Sequence, residues 1–248
     1  MLSRTKTIAA TATLSLAALL AACGGGNDGS GPSAGGFTGT TTSSRDLTAV
    51  VLTDGSYYLM YSAVGDASTV GGVVQGTSAI SGDSFASSDA LDFNVEGLGM
   101  KPGAVAAELH PWDKFDGAFM PTSTGAALSF QTRFDVAKNF SGPTLTQLAG
   151  AYGGNAGFAL GVRPATFTVT AAGAVSSSIN GCAITGTATP RTDINAYDLM
   201  IAFGPAPCAI PNLAFAGVAY IRQDNGRLYA AARNAATRQS VIFSGTKT

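Results

Sequence analysis

One histidine and three cysteines are the residues of this sequence best suited to nucleophilic, acid–base or metal-binding chemistry. His110 is the one side chain that could act as the imidazole base of a serine hydrolase, and no Gly-X-Ser-X-Gly motif accompanies it. It stands in the segment LHPWDKFDG beside four other polar or aromatic residues, Trp112, Asp113, Lys114 and Asp116. The segment could line a ligand-binding or catalytic loop, but Pro111 and Gly117 favour an exposed hairpin turn, which we expect.

Carboxylates are the remaining candidates for metal binding or catalysis. The segments TDINAYD and DNG lack the spacing of a calcium-binding loop. Six aspartates are scattered among turn-like segments, where such side chains bond to the local backbone: Asp46, Asp54, Asp66, Asp83, Asp89 and Asp92. A pair of carboxyl groups could support glycoside hydrolysis, but the sequence singles out no pair. We therefore expect no catalytic residues, no metal ion and no cofactor.

Cys23 follows an apolar segment near the start of the chain. Arg4 and Lys6 precede an uncharged, mainly apolar run from Ile8 to Leu20. The run is shorter than the roughly 20 residues that a membrane-spanning helix needs. A positive start, a short apolar run and small residues before the break are typical of an export signal, which we place at residues 1–22.

The four residues Leu20-Ala21-Ala22-Cys23 resemble the lipobox of bacterial lipoproteins. The resemblance implies cleavage before Cys23, attachment of diacylglycerol to its sulfur and acylation of the new amino group. Several acyl chains, at about 0.8 kcal/mol per buried methylene, would hold the protein on a membrane. The resemblance to lipoproteins with enterobacterial-type sorting also implies the outer membrane as destination, because the residue after the cysteine is Gly24 and not aspartate. The alternative is that Cys23 is only a small apolar residue that closes an ordinary signal peptide.

The sequence divides into four segments by composition. Residues 24–36, GGGNDGSGPSAGG, have little apolar surface and predict a flexible tether with a reach of roughly 20 Å. We predict a signal peptide (1–22), a lipidated cysteine with its tether (23–36) and two domains (37–142 and 143–248).

Beyond the signal, 12 basic residues stand against 15 acidic ones without a basic cluster, which argues against nucleic acid as a partner.

Cys182 and Cys208 form an even pair once Cys23 is set aside. Export permits disulfides, and a bridge would close a loop of about 26 residues. The alternatives are a metal site or a reactive thiol, but no histidine lies near either cysteine in the sequence. We predict the disulfide.

The mature sequence predicts an all-β protein. Short Val- and Thr-rich segments alternate with glycine turns, and a strand–turn–strand pattern occurs twice, in 47–62 and 165–179. The echo of VVQGT (73–77) in AITGT (183–187) suggests a duplication, and the boundary falls where Pro143 and Thr144 predict one or two helical turns. Each unit is expected to be a small antiparallel barrel or sandwich. Asn225-Gly226 predicts a two-residue hairpin.

Three tyrosines in one predicted strand offer either a core or a binding surface. Tyr57 and Tyr61 share a face with Leu59, while Tyr58 and Met60 face the other way. An exposed cluster could contact a sugar or a protein, but we expect the tyrosines to fill a barrel interior.

Architecture and glycine-rich strands together make the chain similar to surface lipoproteins of the transferrin-binding-protein-B and factor-H-binding-protein kind. We therefore expect a non-catalytic binding or interaction module, held on the outer membrane through Cys23 and facing the periplasm or the surface, with a protein or a glycan as its ligand. The alternatives are an envelope hydrolase that uses a carboxylate pair and a structural scaffold of the envelope.

Overall fold

A computed structural model describes residues 34–97, 99–123, 125–135 and 142–248. These residues form two eight-stranded antiparallel β-barrels and one short helix, which confirms the all-β prediction and selects barrels over sandwiches. The predicted signal peptide, Cys23 and residues 24–33 of the tether lie outside the described residues. No helix in the described ranges is both long and apolar enough to cross a membrane.

The first barrel is built from the strands before residue 135. They are β1 (Gly35–Thr41), β2 (Asp46–Val51), β3 (Ser56–Ala63), β4 (Asp66–Thr77), β5 (Ala79–Ser81), β6 (Ser84–Asn94), β7 (Gly99–His110), β8 (Lys114–Pro121) and β9 (Leu128–Phe134). Neighbours in sequence pair along the sheet except β4 and β5, β9 pairs with β1, and β4 pairs with β6. These two pairings close the ring, and β5 is a short addition that pairs with β6 alone.

The second barrel follows one turn of helix, α1 (Leu145–Leu148). Its strands are β10 (Gly150–Phe158), β11 (Gly161–Val169), β12 (Ala174–Ile179), β13 (Cys182–Pro190), β14 (Tyr197–Phe203), β15 (Ala214–Ile221), β16 (Leu228–Arg233) and β17 (Ser240–Lys247). They pair in sequence order, and β17 closes on β10. The helix is the one predicted: the Thr144 side chain accepts from the Gln147 backbone and the Gln147 side chain accepts from the Thr144 backbone.

The repeated sequence pattern occupies equivalent places in the two barrels. Residues 47–62 form β2 and β3, the second and third strands of their ring, and residues 165–179 fall in β11 and β12, which hold the same places. The echoed segments 73–77 and 183–187 then lie in the fourth strands, β4 and β13. The echoed segments therefore hold equivalent places in two rings of the same strand order.

Two predictions about connections are wrong. The tether was predicted to reach residue 36, but Ala34 is buried and Gly35 begins β1. Gly36 serves packing rather than flexibility, because a Cβ there would lie 2.2 Å from the Tyr220 ring. The β15–β16 hairpin was predicted to have two loop residues, but the connection spans 222–227, where the Arg222 guanidinium binds Asp224 within the loop.

The interiors of the two barrels are filled differently. Aromatic rings fill the first, as in the contacts of Phe115 with Phe37, Phe85 and Phe130 at 4.8–5.8 Å between centroids. Tyr57, Leu59 and Tyr61 point into this core and Tyr58 and Met60 point outward, as the sequence predicted. The second interior contains many alanines, among them Ala156, Ala165, Ala188, Ala219 and Ala232. Small side chains leave space that rings would occupy.

A third apolar cluster joins the barrels to each other. It combines outward-facing residues of β2, β3, β4 and β6 with those of β15, β16 and β17, for example Val50, Met60, Val73, Val218, Ala231 and Ile242. Polar contacts surround it: Arg222 pairs with Asp46, and Asn155 Nδ2 donates to Thr69 Oγ1 at 3.2 Å. The two barrels therefore pack as one unit.

The Cys182–Cys208 disulfide is present, as predicted, and ties the start of β13 to the β14–β15 loop, with 4.5 Å between the Cα atoms. Replacing both cysteines by alanine is expected to lower the free energy of unfolding by about 3 kcal/mol, since the bond closes a 26-residue loop and restricts the unfolded chain. Denaturant unfolding of the double variant beside the parent chain measures this loss. An unchanged midpoint would show that the bond does not form in solution.

Candidate ligand-binding site

The candidate site is the mouth of the second barrel, the end at which β10, β12, β14 and β16 finish. Four connections lie at this end: the two-residue turn 159–160, the turn 180–181, the long loop 204–213 and the loop 234–239. Gly161 has φ 98° and Gly181 has φ 79°, values that glycine adopts without steric cost and that allow both turns to be tight. The disulfide holds the long loop against the rim.

A pocket of about 200 Å³ opens inside this rim. Its wall is mainly apolar: Phe158, Ile179, Ile184, Phe203, Pro207 and Ile210 all line it. Two polar side chains stand at its edge, Arg163 at the start of β11 and Asn180 in the turn before β13. Among the described residues that line the pocket, Arg163 alone carries a charge. An apolar wall with a few polar groups at the edge is the usual make-up of a small-molecule site.

A second, smaller space lies deeper in the same barrel. It measures about 50 Å³, and every described residue that lines it is apolar, including Ala156, Ala188 and Leu199. Phe158 and Phe203 line both spaces and contact each other edge to face, with centroids 5.9 Å apart. This aromatic pair is therefore the wall between the mouth pocket and the interior.

A groove between the two barrels adjoins the mouth pocket. Ala159, Leu160 and Gly161 line both, and the groove continues past Phe93 and Met100 of the first barrel over about 500 Å³. Leu160 is 68% exposed and Met100 is 46% exposed, so both place apolar surface in contact with solvent beside the groove. The rim of the second barrel thus presents apolar surface to solvent on both sides of the 159–160 turn.

The His110 segment forms the β7–β8 turn that the sequence predicted, with Trp112 at its tip at φ 61°. His110 Nδ1 lies 3.2 Å from Asp83 Oδ2, and its Nε2 lies 3.6 Å from Glu108 Oε2. Lys114 lies between Glu108 and Asp116, at 3.5 and 3.9 Å. The segment is a partly exposed network of polar contacts on the first barrel, and none of its residues is among the described residues that line the mouth pocket.

Asp46, Asp89 and Asp92 depart from the prediction that the aspartates serve local turns. Asp89 Oδ1 accepts from the backbone N–H of Thr77, 12 residues away, at 2.8 Å. Asp46 reaches across to Arg222 of the second barrel. Asp92 is only 8% exposed inside the first barrel, where the Tyr61 hydroxyl donates to its Oδ1 at 2.6 Å. Burial raises the pKa of the Asp92 carboxyl to about 6, although the hydrogen bond from Tyr61 and the charges of Lys101 and Arg45 act in the opposite direction. Asp54 and Asp66 do serve turns, each accepting from a backbone N–H two residues on.

Replacing Asp92 by asparagine is expected to stabilise the protein at pH 7 by on the order of 2 kcal/mol, because the buried charge is removed and the oxygen that accepts from Tyr61 stays. The pKa of Asp92 is about 6 in the folded chain against 3.8 for the free group, so between these pH values the folded chain keeps a proton that the unfolded chain has lost. The stability that the parent chain gains from a protonated Asp92 is therefore complete below about pH 4 and is lost as the pH rises through about 6.

Denaturant titrations of both proteins at pH 3.5 and pH 7 measure the effect. The stability difference is expected at pH 7 and should vanish at pH 3.5. Equal differences at the two pH values would contradict a titrating Asp92.

Sequence analysis missed the residues of the mouth pocket. Strand alternation marks Phe158 and Phe203 as inward-facing candidates, but it does not show that space remains beside them. Arg163 gave no signal because it stands alone, outside any motif. The Asn180-Gly181 dipeptide, typical of a tight turn, was the one local feature that could have located the rim.

Comparisons with protein-family models, with curated proteins and with solved structures found no match.

Proposed function

We propose that this chain is a bacterial envelope lipoprotein, held on the outer membrane through Cys23, that binds a ligand without catalysis at the mouth of its second barrel. The observation that carries the binding role is the apolar pocket of about 200 Å³ with one cation at its edge. Eight-stranded barrels have room inside for side chains or for one small ligand. The lipid anchor rests on the lipobox resemblance at residues 20–23.

The path of the chain agrees with an anchored protein whose pocket faces away from the membrane. Ala34 packs beside Ile194 and Tyr220, at the end of the second barrel where β13 and β15 finish. The mouth pocket is at the other end, where those strands begin. A tether that leaves from Ala34 would therefore place the membrane on the side opposite the pocket.

The two alternatives have less support. A hydrolase needs a carboxyl group that reaches its substrate, but Asp92, whose pKa is about 6, is buried in the first barrel and bonded to Tyr61. No carboxylate is among the described residues that line the mouth pocket. A scaffold would use only the outer faces of the barrels and would leave the pocket without a role.

The binding role can be tested on small molecules that stay with the protein during purification. The Cys23→Ser chain, isolated from the soluble fraction of cells that make it, would be examined by native mass spectrometry. Ala159→Trp places a large ring at the rim, whereas Ala172→Trp adds the same ring to an exposed turn at the opposite end of the barrel. We expect a bound molecule that the first variant loses and the second keeps. No bound molecule, equal retention by both variants, or turnover of the molecule would contradict the proposal.

A further inference from the structure

The mouth pocket has a size and a lining suited to an apolar group. Its volume, about 200 Å³, exceeds the roughly 150 Å³ of an apolar protein cavity that admits benzene. Its wall combines aliphatic side chains from β12 and β13 with the edge-to-face pair of Phe158 and Phe203 as the floor. Because this wall offers a polar ligand few partners, an apolar group is the part of a ligand that it would bury.

Arg163 supplies a positive charge at the pocket edge, which would bind the polar end of a ligand whose apolar group is buried. Its side chain is exposed, and the one hydrogen bond that its guanidinium makes within the described residues goes to the Val162 carbonyl, at 2.8 Å. It has no carboxylate partner there, in contrast to Arg191 and Arg222, which each pair with two aspartates. A guanidinium binds a carboxylate through two parallel hydrogen bonds. Arg163 therefore stands at the pocket edge with this capacity unused.

We infer that the mouth pocket binds a carboxylic acid with a single unbranched hydrocarbon tail, its tail against Phe158 and Phe203 and its carboxylate on Arg163. This inference rests on the proposed binding role and names the class of ligand. The head lies at the rim, where water still reaches it, so the ligand keeps its charge while the tail leaves water. Burial of the tail supplies affinity, and the Arg163 contact gives preference for an acid.

Calorimetric titration of the Cys23→Ser chain with decanoic acid, methyl decanoate and propionate tests both parts of the ligand. Decanoic acid should bind with a negative heat-capacity change, the mark of apolar burial, and propionate should not bind. Arg163→Gln should weaken decanoic acid about tenfold, since a hydrogen bond to a charged group is worth roughly that factor or more, and should leave methyl decanoate unchanged. Ala159→Trp should abolish binding of the acid, and Ala172→Trp should preserve it.

Each result separates the ligand class from the binding role. Equal binding of the acid to all variants would place it elsewhere and overturn the inference, as would equal loss of the acid and its ester in Arg163→Gln. If decanoic acid fails to bind while Ala159→Trp still removes a molecule that co-purifies with the protein, the inference is wrong and the binding role stands. If both fail, the proposed function fails as well.

Discussion

Cys23→Ser is expected to move the protein from the membrane fraction to the soluble fraction. The lipobox resemblance assigns every acyl chain to this residue, on its sulfur and on its amino group. Acyl chains contribute about 0.8 kcal/mol per buried methylene, so two or more give nearly permanent attachment and their loss removes it. Ultracentrifugation of lysed cells, followed by immunoblotting of pellet and supernatant, measures the distribution.

The matched control replaces the other two cysteines. Cys182 and Cys208 are bonded to each other in the second barrel, so a double serine variant loses the disulfide but keeps the anchor. This variant should stay in the pellet. Membrane association of Cys23→Ser at the level of the parent chain would contradict the anchor, and release of both variants would point to misfolding instead.

Tyr220→Ala is expected to lower the free energy of unfolding by about 3–5 kcal/mol, the range for removal of a large buried ring. Tyr220 belongs to β15 of the second barrel, but it is 1% exposed because it packs against the first, next to Gly36. Its hydroxyl donates to Asp135 Oδ2 at 2.7 Å. The substitution therefore removes both apolar contact and a charge-assisted hydrogen bond between the barrels.

Trp112 fluorescence reports whether the Tyr220→Ala substitution also destabilises the first barrel. It is the single tryptophan of the chain, and it packs on Phe134 of β9 with 4.9 Å between centroids. If the barrels unfold together, Trp112 fluorescence and far-ultraviolet circular dichroism should shift to lower denaturant by the same amount. Tyr220→Phe, which loses only the hydroxyl, should cost about 1.5–3 kcal/mol. A Trp112 transition unchanged by Tyr220→Ala would show that the barrels unfold independently.

Local features of the sequence were sufficient to predict the elements of the fold. The alternation from Tyr57 to Tyr61 identified the face that enters the core, because successive side chains of a strand point to opposite sides. Thr144 marked the start of the helix because its side chain caps a backbone N–H that would otherwise lack a partner. The Asp54-Gly55 turn followed from the tolerance of glycine for its φ of 85°.

Contacts between distant segments were not available to the same reasoning. Gly36 lies in a segment with the composition of a linker. Only the position of Tyr220, far along the chain, explains why glycine is needed there. In the sequence, Asp92 looks like the other aspartates that were assigned to turns. Its burial follows only from the pairing of its own strand, β6, with β7. The mouth pocket depends on the space left between side chains of several strands, which alternation within one strand does not specify.

The most direct test of the central claim, a lipid-anchored binding protein, is mass analysis of the N-terminal peptide of the native protein after protease treatment of intact cells. The account predicts a peptide that begins at Cys23 and carries diacylglycerol on sulfur and an acyl group on nitrogen. Loss of the barrels to the protease would place them on the cell surface, and their protection would place them in the periplasm. An N-terminal peptide with an unmodified Cys23, or one that continues through Ala22 into Cys23, would contradict the account.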